Sequence, residues 1–212
     1  GSGGHARRGG RSPRSRGELM SDARQQALHE IAFCESVLAK GGLTVLTETL
    51  RDASDISVWT HYPKDDVFDP ETGAQWFYHS HPADDPDGAI EHGHFHCFVR
   101  PQGTNGPIHH LIAIGVDPFG KLKRLFTVNQ WVVGDDWLDA EPTIALLEKF
   151  DVHMPRPSYL VNRWLTAVLA AYDDEIRALI HERDRTLAAH RPEGDIAVRD
   201  DKALEVTSEL LF

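Results

Sequence analysis

The stretch Ile108-His-His-Leu-Ile-Ala-Ile-Gly-Val116, then Asp117-Pro-Phe-Gly120, then Lys121-Leu-Lys-Arg-Leu-Phe-Thr-Val128 contains two apolar-rich runs joined by four residues. Asp at the first position, Pro at the second and Gly at the fourth suit a type I turn. A hairpin is therefore expected, with a strand at Ile108–Val116 and a return strand running from Leu122 to Val133. Working outward from it, Glu91–Arg100 reads as the preceding strand, ended by the loop Pro101-Gln-Gly-Thr-Asn-Gly-Pro107. Before that, Ala83-Asp-Asp-Pro-Asp-Gly88 reads as a turn-rich loop. Ala74–His81 reads as a strand stopped by Pro82, and Ile56–His61 as one stopped at Tyr62-Pro63.

Helical patterns flank this block. Ser21 can cap a helix through Ala27, Ile31, Phe33 and Leu38 that ends at Gly41-Gly42, with a second short helical stretch to Arg51. After Trp137, Pro142–Phe150 predicts a short helix. Ser158 can cap a long one whose stripe of Leu160, Trp164, Leu165, Val168, Tyr172, Ile176, Leu179 and Ile180 should cover one sheet face. Leu204–Phe212 reads either as an edge strand or as a frayed tail. The expected fold class is α+β, with an antiparallel sheet of five or six strands over residues 56–133, the C-terminal segment as an optional addition, and helices at both ends.

The first 19 residues hold five arginines and one acid among Gly, Ser and Pro, which is a disordered composition. Gly1-Ser2 looks like an expression scar and Met20 like a natural start, so residues 20–212 are expected to form a single α+β metal-binding domain. The chain carries −11 overall, and without the basic tail 17 basic residues face 32 acidic ones. That field repels a phosphate backbone, so nucleic acid is not an expected partner. No apolar run approaches the roughly 20 residues of a bilayer span, and the two cysteines, Cys34 and Cys97, fall in a helical and a strand pattern. A reducing, cytoplasmic compartment is expected. Phosphate-cradling glycine loops, a Gly-x-Ser-x-Gly elbow and Cys-x-x-Cys pairs are absent from the sequence.

Histidine usage departs from the ordinary. Of 13 histidines, eight lie between His61 and His110. Alternate residues of a strand share a face, so His92, His94 and His96 should project together while Gly93, Phe95, Cys97 and Val99 face the core. His79 and His81 share a face in the same way, and opposite pairs such as His79 with His94 would bring ring nitrogens together. These five, His79, His81, His92, His94 and His96, are the candidate metal ligands. Alternate strand residues stand about 6.6 Å apart, which puts His92 and His96 about 13 Å from each other. One ion is therefore expected to take His94 with one strand neighbour and His79, His81 or both, the remaining histidine orienting a ligand or substrate.

Imidazole donors suit Fe, Zn, Cu or Ni, and the absence of a thiolate on the same face argues against a structural zinc knot. Gln75 and Phe77 share the face of His79, and Phe98 that of His96, the mix expected of a small-molecule pocket. Gln75 and Glu91 are the candidate catalytic groups, Glu91 as ligand or base. His61 at the end of the first strand and His109 and His110 at the start of the fourth could each approach the rim of this cluster, but read first as ordinary loop-edge histidines. Lys64, Asp65, Asp66 and Asp69 read as a solvated loop, and Trp59, Tyr62, Trp76, Tyr78 and Trp131 as packing residues.

The strings Gln75-Trp-Phe-Tyr-His-Ser-His-Pro82 and Glu91-His-Gly-His-Phe-His96, with His61-Tyr-Pro, His110-Leu-Ile-Ala-Ile and Asn129-Gln-Trp131, resemble an uncharacterised bacterial family of domains of unknown function over roughly residues 25–212. That resemblance implies no activity. The His-x-His pattern is also similar to the first motif of cupins, but the spaced Glu and later Gly of that motif are missing, so cupin ligand assignments do not carry over. The leading expectation is an oxygen-activating metalloenzyme with Fe(II), or alternatively Cu or Zn, acting on a small organic molecule. The alternatives are a zinc-dependent hydrolase or lyase with Glu91 as base, and a non-catalytic metal-binding or sensing protein. Nothing in the sequence fixes an oligomeric state.

Overall fold

The turn at Asp117 closes as its residues require. Asp117 Oδ1 accepts the backbone N–H groups of Phe119 and Lys121 at 2.8 and 2.9 Å, and Gly120, at φ +75°, donates to the Asp117 carbonyl. In the computed structural model, which describes residues 12–81 and 91–212, this turn joins β4 (His109–Val116) to β5 (Leu122–Val128). The tail before residue 12 and the loop expected at Ala83–Gly88 lie outside the described residues.

With β1 (Tyr62–Phe68), β2 (Ala74–Ser80), β3 (Gly93–Val99) and β6 (Val206–Leu211), the hairpin belongs to a six-stranded sheet in which each strand pairs antiparallel with its neighbours in chain order. Of the two readings of the C-terminus, the edge strand is the one formed. Helices stand before and after the strands, giving the expected α+β arrangement.

The two faces of the sheet differ. One carries Trp76, Tyr78, Phe95, Cys97, Ile112, Ile114 and Leu125, each fully buried in a core with Trp164, Leu165, Val168, Ile176 and Ile180 of α5 (Tyr159–Ala171) and α6 (Asp173–Ala189). Burying each such side chain contributes about 1.5–3 kcal/mol. Trp76 Nε1 donates to Asn162 Oδ1 at 3.0 Å, satisfying the one polar atom of a fully buried indole. Helix α1 (Arg16–Lys40) lies along α5, tied by Arg163 to Glu30 and Trp164 to Glu35, and α2 (Val45–Thr49) adds Val45 and Leu46 to the core. The other face carries the histidines.

Several boundaries differ from the expectation, each for a local reason. Helix α1 begins at Arg16 rather than after Ser21, because Ser15 and Glu18 form a capping box, Ser15 Oγ accepting from Glu18 N–H and Glu18 from Ser15 N–H. The first strand is Tyr62–Phe68, not Ile56–His61. Pro63 and the run Lys64-Asp65-Asp66 are tolerated because β1 is an edge strand, where a missing N–H and exposed charges disturb no inner ladder. β5 stops at Val128, where Asn129 caps a short helix, α3 (Gln130–Val133), ended by Gly134 at φ +62°. Helix α4 spans Ala140–Ala145, with Pro142 in its first turn, where no helical donor is needed. The long helix is broken at Tyr172, where Asp173, Asp174 and Glu175 supply the acidic first turn of α6. Among the described residues no helix is long and apolar enough to cross a membrane.

Candidate metal centre

The β2–β3 register pairs Phe77 with His96, His79 with His94 and Ser80 with Gly93. Across β3–β4, His94 faces Gly115 and His96 faces Ala113, and across β4–β5 these face Arg124 and Phe126. The two small residues leave space over the sheet that the rings and Glu91 fill. A Cβ on Gly115 would stand 2.5 Å from Glu91 Oε1. Phe126 lies under this group, its ring 5.0 Å from that of His94 and covered on one side by the Arg124 guanidinium at 3.9 Å.

His79, His94 and His96 are all buried, and one nitrogen from each lies within 4.8 Å of the others. His79 Nε2 and His94 Nε2 are 2.5 Å apart. Two ring lone pairs at that separation repel unless a proton or a cation lies between them. His96 Nδ1 is 3.0 Å from His110 Nε2, which leaves His96 Nε2 buried and with no hydrogen-bond partner among the described residues. Burial pushes all of these imidazoles below their usual range, His79 to about 4, His110 to about 3, and His94 and His96 well below it too; neighbouring histidines act in the same direction on His79, His94 and His96. They are neutral at pH 7, the form that donates a lone pair to a metal.

A second group shares His94. Its Nδ1 is 3.2 Å from both His81 Nε2 and Glu91 Oε1, and His81 Nε2 is 3.4 Å from Glu91 Oε1. The other carboxylate oxygen, Glu91 Oε2, is 2.8 Å from Arg124 Nη2. A donor N–H at His94 Nδ1 pointing to Glu91 leaves His94 Nε2 bare and aimed at His79, the arrangement in which an acid orients a metal-binding imidazole. Each of the two groups, His79–His94–His96 and His81–Glu91–His94, has the composition and spacing to hold a metal ion.

Of the five candidate histidines, His79, His81, His94 and His96 are brought together and His92 is not. β3 begins only at Gly93, and the His92 ring lies along Tyr78, with Nδ1 2.6 Å from the phenolic oxygen. Gly93 permits this, since a Cβ there would run into Tyr78. Gln75 donates to Asp66 Oδ2 and accepts from Arg100 Nε. His61 stacks on Phe77 at 3.6 Å with Nδ1 on Asp66, and His109 Nδ1 donates to the Asp136 carbonyl.

Two further residues join the site, His110, for which the rim position was the second reading, and Arg124, which sequence reasoning left out. His110, read as a loop-edge histidine, supports His96 and is itself fixed by Asp135 Oδ2, which accepts its backbone N–H at 2.9 Å. Arg124 holds Glu91. Its alternation with Phe126 across the turn from Gly115 was the available signal. Trp59, read as a packing residue, is instead 59% exposed at φ +66°, a left-handed conformation costly for a large side chain, and presents itself edge-on to His79 and His81.

No curated protein and no solved structure matches the chain. A family model does match, over residues 25–212, which takes in every strand, both histidine groups and most of α1. The chain belongs to the family described as domain of unknown function DUF6969.

Proposed function

We propose that the chain is a metalloprotein in which His79, His94 and His96 hold one transition-metal ion, and that this ion, Fe(II) or else Cu, activates oxygen against a small organic molecule. The observation that carries the proposal is the buried Nε2 of His96, unpartnered among the described residues, beside the facing Nε2 atoms of His79 and His94. A buried polar atom left without a partner costs about 1–3 kcal/mol, and a bound cation removes that cost. Three neutral imidazoles leave further coordination positions for oxygen or substrate, which separates such a site from a closed structural one.

Glu91 and His110 serve as orienting groups in this reading, one for His94 and one for His96. Both Glu91 oxygens are engaged, one by His94 and His81 and the other by Arg124. That disfavours the hydrolase reading, which needs Glu91 as a free base. A cavity of about 700 Å³ opens beside Glu91 and Arg124, with Lys123, Ser208 and Phe212 among its walls. Glu182 and Glu209 line it as well, so its size supports a small organic molecule and its charge singles out none.

The test is elemental analysis of the purified chain, followed by anaerobic Fe(II) loading and exposure to nitric oxide. At least one ion per chain, lost in His94→Ala, and a high-spin EPR signal from an iron–nitrosyl adduct are expected. A folded protein that takes up no metal on titration would refute the metal site. Bound iron that gives no nitrosyl signal would refute its open positions.

A further inference from the structure

His94 has two ring nitrogens, and each faces a different donor group. Nε2 faces His79 Nε2, in the group completed by His96. Nδ1 faces His81 Nε2 at 3.2 Å and Glu91 Oε1 at 3.2 Å, and those two are 3.4 Å from each other. Donors bound to one tetrahedral ion at about 2.0–2.1 Å stand about 3.3 Å apart. The three edges of the second triangle therefore match one face of a tetrahedron around a single ion, with the fourth corner left for water or another ligand. Glu91 can serve through Oε1 while Oε2 stays on Arg124.

We infer that the centre takes two metal ions, one on His79–His94–His96 and one on His81–Glu91–His94, with His94 bridging them as an imidazolate. The inference rests on the proposed first site. In the singly loaded protein His94 keeps its one N–H at Nδ1, hydrogen-bonded to Glu91. When the second ion binds, that proton leaves to solvent, the Nδ1–metal bond replaces the N–H bond, and no oxidation or reduction takes place. Two metal–nitrogen bonds and the width of the ring place the ions about 6 Å apart. The second ion binds more weakly than the first. It meets the charge of the first ion and of Arg124, which also touches Glu91, while the carboxylate supplies the compensating negative charge.

The buried geometry explains two local features together. Gly115 has no Cβ where Glu91 Oε1 must sit, and Arg124 fixes the carboxylate so that one oxygen is turned towards the histidines. Both features also serve Glu91 in orienting His94. They equally present a single oxygen, Oε1, to an ion shared with His81 and His94.

The probe is Cu(II), added to the metal-free full-length chain. Uptake is measured by equilibrium dialysis and unpaired spins by EPR. Two equivalents are expected, with the integrated EPR signal rising to the first equivalent and falling by more than about five-fold on the second, because an imidazolate couples the two spins. His81→Ala, or His81→Gln if alanine disturbs the far-ultraviolet circular dichroism, should bind one equivalent with its full signal. Uptake that stops at one equivalent in the unaltered chain overturns the second site and leaves the first standing. Two equivalents with additive signals overturn the bridge. No uptake at all overturns the proposed first site, and this inference with it.

Discussion

Acid should destabilise the metal-free protein well above the range in which carboxylates titrate. His79, His94, His96 and His110 are buried as neutral rings, with their proton affinities lowered by burial, His79 to about 4 and His110 to about 3. An unfolded histidine titrates near 6.5. Between those limits the unfolded chain binds more protons than the folded one, so stability rises with pH. It is fully present above about pH 6.5 and is lost as pH falls towards the folded values. At pH 5 each unfolded imidazole gains about 2 kcal/mol from protonation that its buried counterpart forgoes. His79 and His110 together account for about 4 kcal/mol, and His94 and His96 act in the same direction, so allowing for partial hydration of the cluster the expected loss from pH 7 to pH 5 is at least about 2–4 kcal/mol. That is a substantial part of the stability of an ordinary domain, about 5–15 kcal/mol. Urea unfolding of the chelator-treated chain, followed by tryptophan fluorescence at a series of pH values, measures it, since each proton of difference gives a slope of about 1.4 kcal/mol per pH unit. His96→Phe should lower the slope by one proton. A stability that changes by less than about 1 kcal/mol over this interval would show that the rings are hydrated or charged in the folded state, and the reasoning would fail.

Gly115→Ala puts a methyl group where Glu91 Oε1 lies, so the orienting bond to His94 is lost and metal affinity should drop by about 10–100-fold. Competition against a chelator reads this directly, and an affinity unchanged within a factor of about two contradicts it. Trp59 stands edge-on to His79 at 5.2 Å between ring centroids. Cu(II) should therefore quench tryptophan emission in the unaltered chain and quench it far less in Trp59→Phe; equal quenching in both excludes the placement. Asn162→Ala removes the acceptor of Trp76 Nε1 and the donor to the Met154 and Arg156 carbonyls. It should cost about 2–4 kcal/mol in chemical denaturation while leaving metal stoichiometry unchanged, because these groups lie on the helix-covered face.

The parts of the fold that could be read in advance are those where one residue type decides the backbone. Asp117-Pro118-Phe119-Gly120 is such a case, and the β4–β5 hairpin forms around it. The stripe from Leu160 to Ile180 is another, and it covers the apolar sheet face. Where a boundary depends on a side chain bonding to something distant, the reading moves. Asn129 ends β5 by donating to the Val198 and Leu204 carbonyls, far along the chain, so nothing local distinguished Gln130–Val133 from further strand. The apolar letters of Ile56, Val58 and Trp59 look like a strand, yet these residues are exposed. The true edge strand runs through Pro63 and three charges because an edge tolerates them.

For the site, period-two alternation accounts for residues inside the paired strands and stops where the strands end. His94 and His96 share a face because both are inside β3, and His79 meets His94 because the hairpin register is even. His92 is one residue outside the strand and turns to Tyr78 instead. His110 arrives by the opposite route. Continuing the pairing of His96 with Ala113 and Cys97 with Ile112 would set Phe98 against Leu111, but a bulge after Cys97 sets it against His110. The extra residue shifts alternation by one, so His110 comes to the histidine face while Leu111 stays in the core. A bulge leaves no mark in composition or period, so the support of His96 could not be read from spacing. The same shift bears on the chemistry. With His110 fixing Nδ1 of His96, that ring can donate only through Nε2, whereas His94 has an acid beside one nitrogen and a histidine beside the other, and alone in the cluster can serve both groups.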